Sequence, residues 1–122
     1  MEGSALPIVY SCSGCSSAAQ TANWIAIRMD RRGIAEMSCI AGVGGGVPAL
    51  TAKARAAAAI IGLDGCPLAC VKACLKRENI ECTHHYDLSK YGIRREVHKD
   101  FDAEDAGKAL DLIVGDLKTK RG

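Results

Sequence analysis

The stretch Ile60-Ile-Gly-Leu-Asp-Gly-Cys-Pro-Leu-Ala-Cys-Val-Lys-Ala-Cys74 decides how this chain is read. Its apolar opening, Ala58 to Leu63, has the length and β-branched character of a fully buried strand. The run breaks at Asp64-Gly65, and Cys66-Pro67 follows. Proline is favoured just inside a helix, because its missing N–H would have no intrahelical partner there. The spacing therefore predicts a helix from Pro67 to about Glu78, with Cys66 at its corner. Residues four apart are neighbours on a helix, which puts Cys70 on the same face as Cys66. Two thiols at a strand-to-helix corner, beside a carboxylate, are a candidate metal or redox site.

Toward the N-terminus, Leu6-Pro-Ile-Val-Tyr10 reads as a first strand, ending in the turn Ser11-Cys-Ser-Gly-Cys-Ser-Ser17. Ser16 or Ser17 can cap the helix that follows. That helix spans Ala18 to Arg32, with Ala18, Ala22, Ile25, Ala26 and Met29 at helical spacing and Gly33 placed to end it. Trp24 lies off the stripe and is expected to be partly buried against a neighbouring helix or loop. Ile34 to Ile40 reads as a second strand that delivers Cys39. The glycine-rich Ala41 to Gly46 comes next, then an alanine-rich helix opened by Val47-Pro48 and running to Ala57.

Toward the C-terminus, Ile80 to Leu88 reads as a fourth strand, with His84 and His85 on opposite faces. Ser89 to Phe101 is a polar connection in which His98 is a surface residue. Asp102 caps a last helix with a buried stripe of Ala106, Leu110, Ile113, Val114 and Leu117. Strands alternating with helices imply a parallel sheet with right-handed crossovers. The expected fold is a small three-layer, doubly wound, Rossmann-like α/β domain of about four parallel strands, occupying residues 1–122 as a single unit.

Composition narrows the function. The chain has 122 residues and a net charge of +2, with basic residues spread along it. One Phe, one Trp and three Tyr offer no base-stacking platform, so nucleic acid is not expected as a partner. The short basic end, Lys118 to Arg121, suits a helix C-terminus. No run is long and apolar enough for a membrane span and no signal-peptide pattern is visible, which points to a cytoplasmic protein. Seven cysteines are many for a reducing compartment, where clustered thiols read as metal ligands or redox groups.

In a parallel sheet every loop after a strand opens on the same edge, where ligands bind. Cys12 and Cys15 follow the first strand, Cys39 the second, and Cys66 and Cys70 the third. Five cysteines thus converge on one edge. Cys74, two turns along its helix, and Cys82, in mid-strand on the apolar face, are expected to be core residues. Four thiolates can enclose Zn(II), and cysteines also hold iron–sulfur clusters. Cys12-Ser-Gly-Cys15 can also be read as a dithiol redox pair, but the chain lacks the flanking features of a thioredoxin. A phosphatase loop is excluded, since no Arg lies between Cys12 and Arg28. Gly44 and Gly45 sit in a segment whose amides could cradle an anion, or which needs positive φ and close approach to the cysteines. Asp64 is either an oxygen ligand or an acceptor for the loop amides after the first strand.

Three motifs, Cys12-Ser-Gly-Cys-Ser-Ser17, Met37-Ser-Cys-Ile-Ala-Gly-Val-Gly-Gly45 and Ile61-Gly-Leu-Asp-Gly-Cys-Pro-Leu-Ala-Cys70, occur in the order seen in the DGC family. The chain resembles these small bacterial and archaeal proteins from about Ile8 to Arg95. The resemblance implies zinc binding by four characteristic cysteines, which map to Cys12, Cys39, Cys66 and Cys70, with Cys15 a fifth. It implies no activity. The expected function is a zinc-binding protein, a metal carrier or sensor. The alternatives are a redox protein or enzyme using Cys12 or Cys66 as nucleophile, an iron–sulfur protein, or a partner-binding module whose cysteines only brace its loops. The sequence does not decide whether the chain is an enzyme.

Overall fold

The computed structural model describes residues 6–121. Residues 1–5, where no leader pattern was found, and the side chain of Arg121 in the basic end lie outside the described residues. Four strands, β1 (Ile8–Ser11), β2 (Glu36–Met37), β3 (Ile60–Asp64) and β4 (His84–Asp87), form one sheet in the order β2-β1-β3-β4. Every pairing is parallel. β1 and β3 are buried along their whole length, as expected of central strands covered on both faces.

Two helices cover one face: α1 (Ser17–Arg31) and α5 (Ala103–Arg121). Ala22, Ile25, Ala26 and Met29 of α1 meet Val9, Ile61 and Leu63 of the sheet, with Ala109, Leu110, Ile113 and Leu117 of α5 completing the same core. Three shorter helices, α2 (Ile40–Gly44), α3 (Pro48–Ala56) and α4 (Cys70–Arg77), cover the other face. There Val43, Ala54, Val71 and Leu75 pack on Ile8, Tyr10 and Ile60. The small doubly wound α/β architecture is as the alternation of elements predicts. Ser16 caps α1 by accepting from Ala19 N at 3.1 Å, and Gly33 leaves that helix at φ 71°. Asp102 caps α5 through Asp105 N at 2.9 Å. Trp24 is partly buried, beside the Phe101 ring and beneath the Arg28 guanidinium.

Four expectations need correction. The second strand is not Ile34–Ile40 but two residues, because the amides of Ile34 and Ala35 bond back to Met29 O at the end of α1. The fourth strand is His84–Asp87 rather than Ile80–Leu88. Asn79 takes left-handed φ at the end of α4, and Ile80 N remains tied to Leu75 O. The glycine-rich segment is itself a helix, α2, and only Gly46 in it has positive φ, at 72°. Finally, α4 starts at Cys70, not Pro67. Ala69 is left-handed (φ 53°, ψ 53°) and donates to Cys66 O, so residues 66–69 form a separate turn. Cys66 and Cys70 therefore do not share a helix face.

Candidate functional site

The sheet order reverses between β1 and β3, since β1 leads out to β2 on one side and the chain returns to β3 on the other. The crevice beyond the carboxyl ends of strands at such a point is where doubly wound proteins bind ligands. Here its two banks are Cys12, just past β1, and Asp64-Gly65, at the end of β3. They are joined across the crevice by Cys12 N donating to Leu63 O at 3.2 Å and Gly65 N donating to Cys12 Sγ at 3.3 Å.

Each residue of Asp64-Gly65 has a distinct physical task. Asp64 is 1% exposed. Its Oδ1 accepts from Val71 N at 2.8 Å and its Oδ2 from Lys72 N at 3.4 Å, both amides of the first turn of α4. His85 Nε2 meets Oδ2 at 2.7 Å. The carboxylate thus serves α4 rather than the loop after the first strand. At Gly65 an added Cβ would stand 2.7 Å from the carbonyl carbon of Ala18 and 2.8 Å from Ala19 N. No flexible side chain is there to move aside, so only glycine lets β3 pass this close to the start of α1.

Not all the expected cysteines gather. Cys12 and Cys70 do. Burial is the chief reason the Cys12 thiol is pushed up to about 11, and charges on Asp64 and Cys70 push it further the same way, against the lowering effect of the Gly65 amide. Cys74, expected in the core, is half-buried. Its thiol is raised by burial and then by Cys70 and Asp64. It stands one turn beyond Cys70, because α4 begins at Cys70; the Cys70-x-x-x-Cys74 spacing was the signal for it. Cys74 Sγ also lies 2.9 Å from where a Cβ on Gly44 would sit, so Gly44 is where α2 and α4 close on each other.

Cys39 is at the head of α2 as its N-cap, exposed, and near enough to Tyr10 to add to the upward push that burial gives that hydroxyl. Gly45, the C-cap of α2, is exposed and not part of the crevice wall. Cys15 is exposed in the turn before α1, with Ser13 Oγ beside it at 3.6 Å. Cys66 is half-buried in the 66–69 turn. Cys82 packs under Gly62 with its thiol pushed up to about 11, first by burial. His85 was missed as a site residue because strand parity separates it from His84 without revealing which face meets Asp64.

The donor chemistry of this surface suits a soft cation. Its spacing does not close around one: among the described residues, no three His, Cys, Asp or Glu side chains are grouped so that they could hold a metal ion. All seven cysteines are free thiols.

Fold and site together define a small doubly wound α/β protein with Cys12, Asp64 and Gly65 at its switch point. The DGC domain model matches residues 8–113, and the chain belongs to the DGC family. It is 54% identical over 101 residues to the anaerobic and virulence modulator AnvM of Pseudomonas aeruginosa, covering 83% of this chain and 77% of that protein. No solved structure matches. Among the described residues, no helix is long and apolar enough to cross a membrane.

Proposed function

We propose that this chain is a regulatory protein that senses or carries Zn(II) through cysteine thiolates at the β1–β3 crevice. The observation that carries this reading is that Gly65 N donates to Cys12 Sγ while the neighbouring Asp64 holds the amides of Val71 and Lys72, which lie between Cys70 and Cys74 on α4. Thiols placed so that each opposes the next one's ionisation are costly to ionise alone. A nearby divalent cation reverses that cost, and thiolates select zinc over harder cations. Cys12, Cys70 and Cys74 would hold the ion, with Cys39 at the head of α2 the fourth thiol. Zinc, when bound, supplies positive charge and a preference for four ligands, without redox chemistry.

The donors are not within one ion's reach in this structure, so these cysteines would have to come closer together to hold the ion. The name of the relative AnvM, a modulator, favours regulation over catalysis. A Cys12 thiol pushed up to about 11 is also a poor nucleophile at neutral pH. Free thiols throughout suit a cytoplasmic location.

Elemental analysis of protein purified without an affinity metal tests the proposal. About one zinc per chain is expected, with the content falling sharply in Cys12→Ser and Cys70→Ser. Absence of zinc even after dialysis against it, or as much zinc in both variants as in the unaltered protein, would contradict the reading. A coloured, iron-containing sample would turn it toward an iron–sulfur protein.

A further inference from the structure

Asp64 has more partners than a surface cap. It is buried between the sheet and α4, and both carboxylate oxygens are engaged: Oδ1 by Val71 N at 2.8 Å, Oδ2 by His85 Nε2 at 2.7 Å and Lys72 N at 3.4 Å. His85 comes from β4, whose register sets it beside Gly62, one strand away. Gly62 has no side chain, and a Cβ there would come within 3.4 Å of the His85 ring and 3.1 Å of Val71. The imidazole therefore crosses the gap over Gly62 to reach Asp64, and β4, β3 and α4 are fastened at one carboxylate.

The fastening bears on the cysteines. Cys70 is the first residue of α4 and Cys74 lies one turn further, while the two amides bound by Asp64, Val71 and Lys72, lie between them. The preceding Ala69 is left-handed, a conformation L-residues avoid unless their surroundings hold them there. The first turn of α4 thus depends on Asp64 for its place. A charge-assisted hydrogen bond to a buried carboxylate is among the stronger polar contacts in a protein.

We propose that Asp64 and His85 form a positioning pair that holds the first turn of α4 against the sheet and so sets where Cys70 and Cys74 stand relative to Cys12. Neither residue is a ligand in this scheme. Asp64 acts through the α4 amides, and His85 acts through Asp64. The inference rests on the cysteine surface being the functional site, but not on zinc.

The test is alkylation of metal-free protein, in the presence of a chelator, followed cysteine by cysteine by mass spectrometry. Cys74 is half-buried beneath α2, so its rate reports the seating of α4. His85→Ala removes the outer hydrogen bond to a buried charge and is expected to speed Cys74 alkylation about tenfold. Cys15 and Cys39, exposed on other elements, should react as in the unaltered protein. His85→Gln keeps an N–H donor and is expected to restore most of the protection. Should His85→Ala fail to fold, Asp64→Asn makes the same comparison, since its side-chain oxygen can still accept from Val71 N. The proposal is overturned if Cys74 reacts alike with and without His85, if His85→Gln behaves like His85→Ala, or if all seven thiols speed up together. Because no metal is present, none of these outcomes bears on zinc binding, and a failure of zinc binding leaves the alkylation result standing.

Discussion

On one face of the sheet, α1 and α5 run for 15 and 19 residues; on the other, α2, α3 and α4 run for 5, 9 and 8. The long helices enclose a continuous apolar core that reaches from Val9 and Ile61 to Leu110 and Ile113. The short helices enclose a smaller one, rimmed by Cys12 and Cys82. Helices this short gain little from their own hydrogen bonds and depend on tertiary packing. Cys70 and Cys74 lie on this second face, on α4, while Cys12 packs against both cores. One face rests on long helices and the larger core, the other on short helices and the smaller one.

The sharpest way to break this contrast is a cavity on the α1/α5 face. Leu110 is 1% exposed, and Leu110→Ala is expected to cost about 3 kcal/mol of stability. Denaturant unfolding would measure the loss, while the order of alkylation among the seven thiols in the native protein should be unchanged. A selective rise at Cys74 would show that the two faces are not independent.

Gly65 joins the faces, and Gly65→Ala is expected to cost about 2 to 3 kcal/mol, because backbone at Ala18 and Ala19 must yield. An unshifted unfolding midpoint would mean that the close approach is not needed.

Cys12 sharpens the contrast through pH. Its thiol is raised from 9.0 to about 11, so at pH 7 it should carry about a hundredfold less thiolate than an ordinary cysteine. Its alkylation should stay slow and rise only as pH approaches that value. The sign for stability follows. The thiol ionises more easily unfolded than folded, so this contribution is intact below about pH 9 and is lost as pH rises toward about 11. Alkaline unfolding that Cys12→Ser leaves unmoved would contradict the assignment.

The smallest effect is expected at Gly44. A methyl group there meets only the flexible Cys74 thiol, so Gly44→Ala should cost about 1 kcal/mol. Cys74→Ala in the same chain should recover it, a coupling that a double-mutant cycle reads directly.

What could be read from sequence divides along the same line. β1 and β3 are apolar runs buried on both sides, and α1 and α5 carry long stripes with Ser16 and Asp102 at their heads, so local pattern and final structure agree. The short elements do not announce themselves. β2 is two residues long because α1 keeps the amides of Ile34 and Ala35. The glycines of α2 are there for contact: Gly42 lies under Leu50 and Gly44 under Cys74. Propensity cannot see a helix whose glycines are chosen by its neighbours. At the candidate site, strand-end placement is what singles out Cys12 and Cys70 as candidates. Cys74 lies one turn into α4 rather than two because the helix starts after a left-handed Ala69, which no residue preference signals. The Asp64–His85 pair needed the β3–β4 register, which only the folded sheet supplies.

Titration of metal-free protein with Co(II) tests the central claim most directly. Cobalt stands in for zinc at thiolate sites, and its sulfur-to-metal absorption grows with the number of thiolates bound. Saturation near one equivalent is expected, with intense thiolate absorption that weakens in Cys12→Ser, Cys70→Ser and Cys74→Ser and persists in Cys82→Ser. No thiolate absorption at any cobalt concentration, or the same spectrum from all four variants, would contradict the assignment of the crevice as a zinc site.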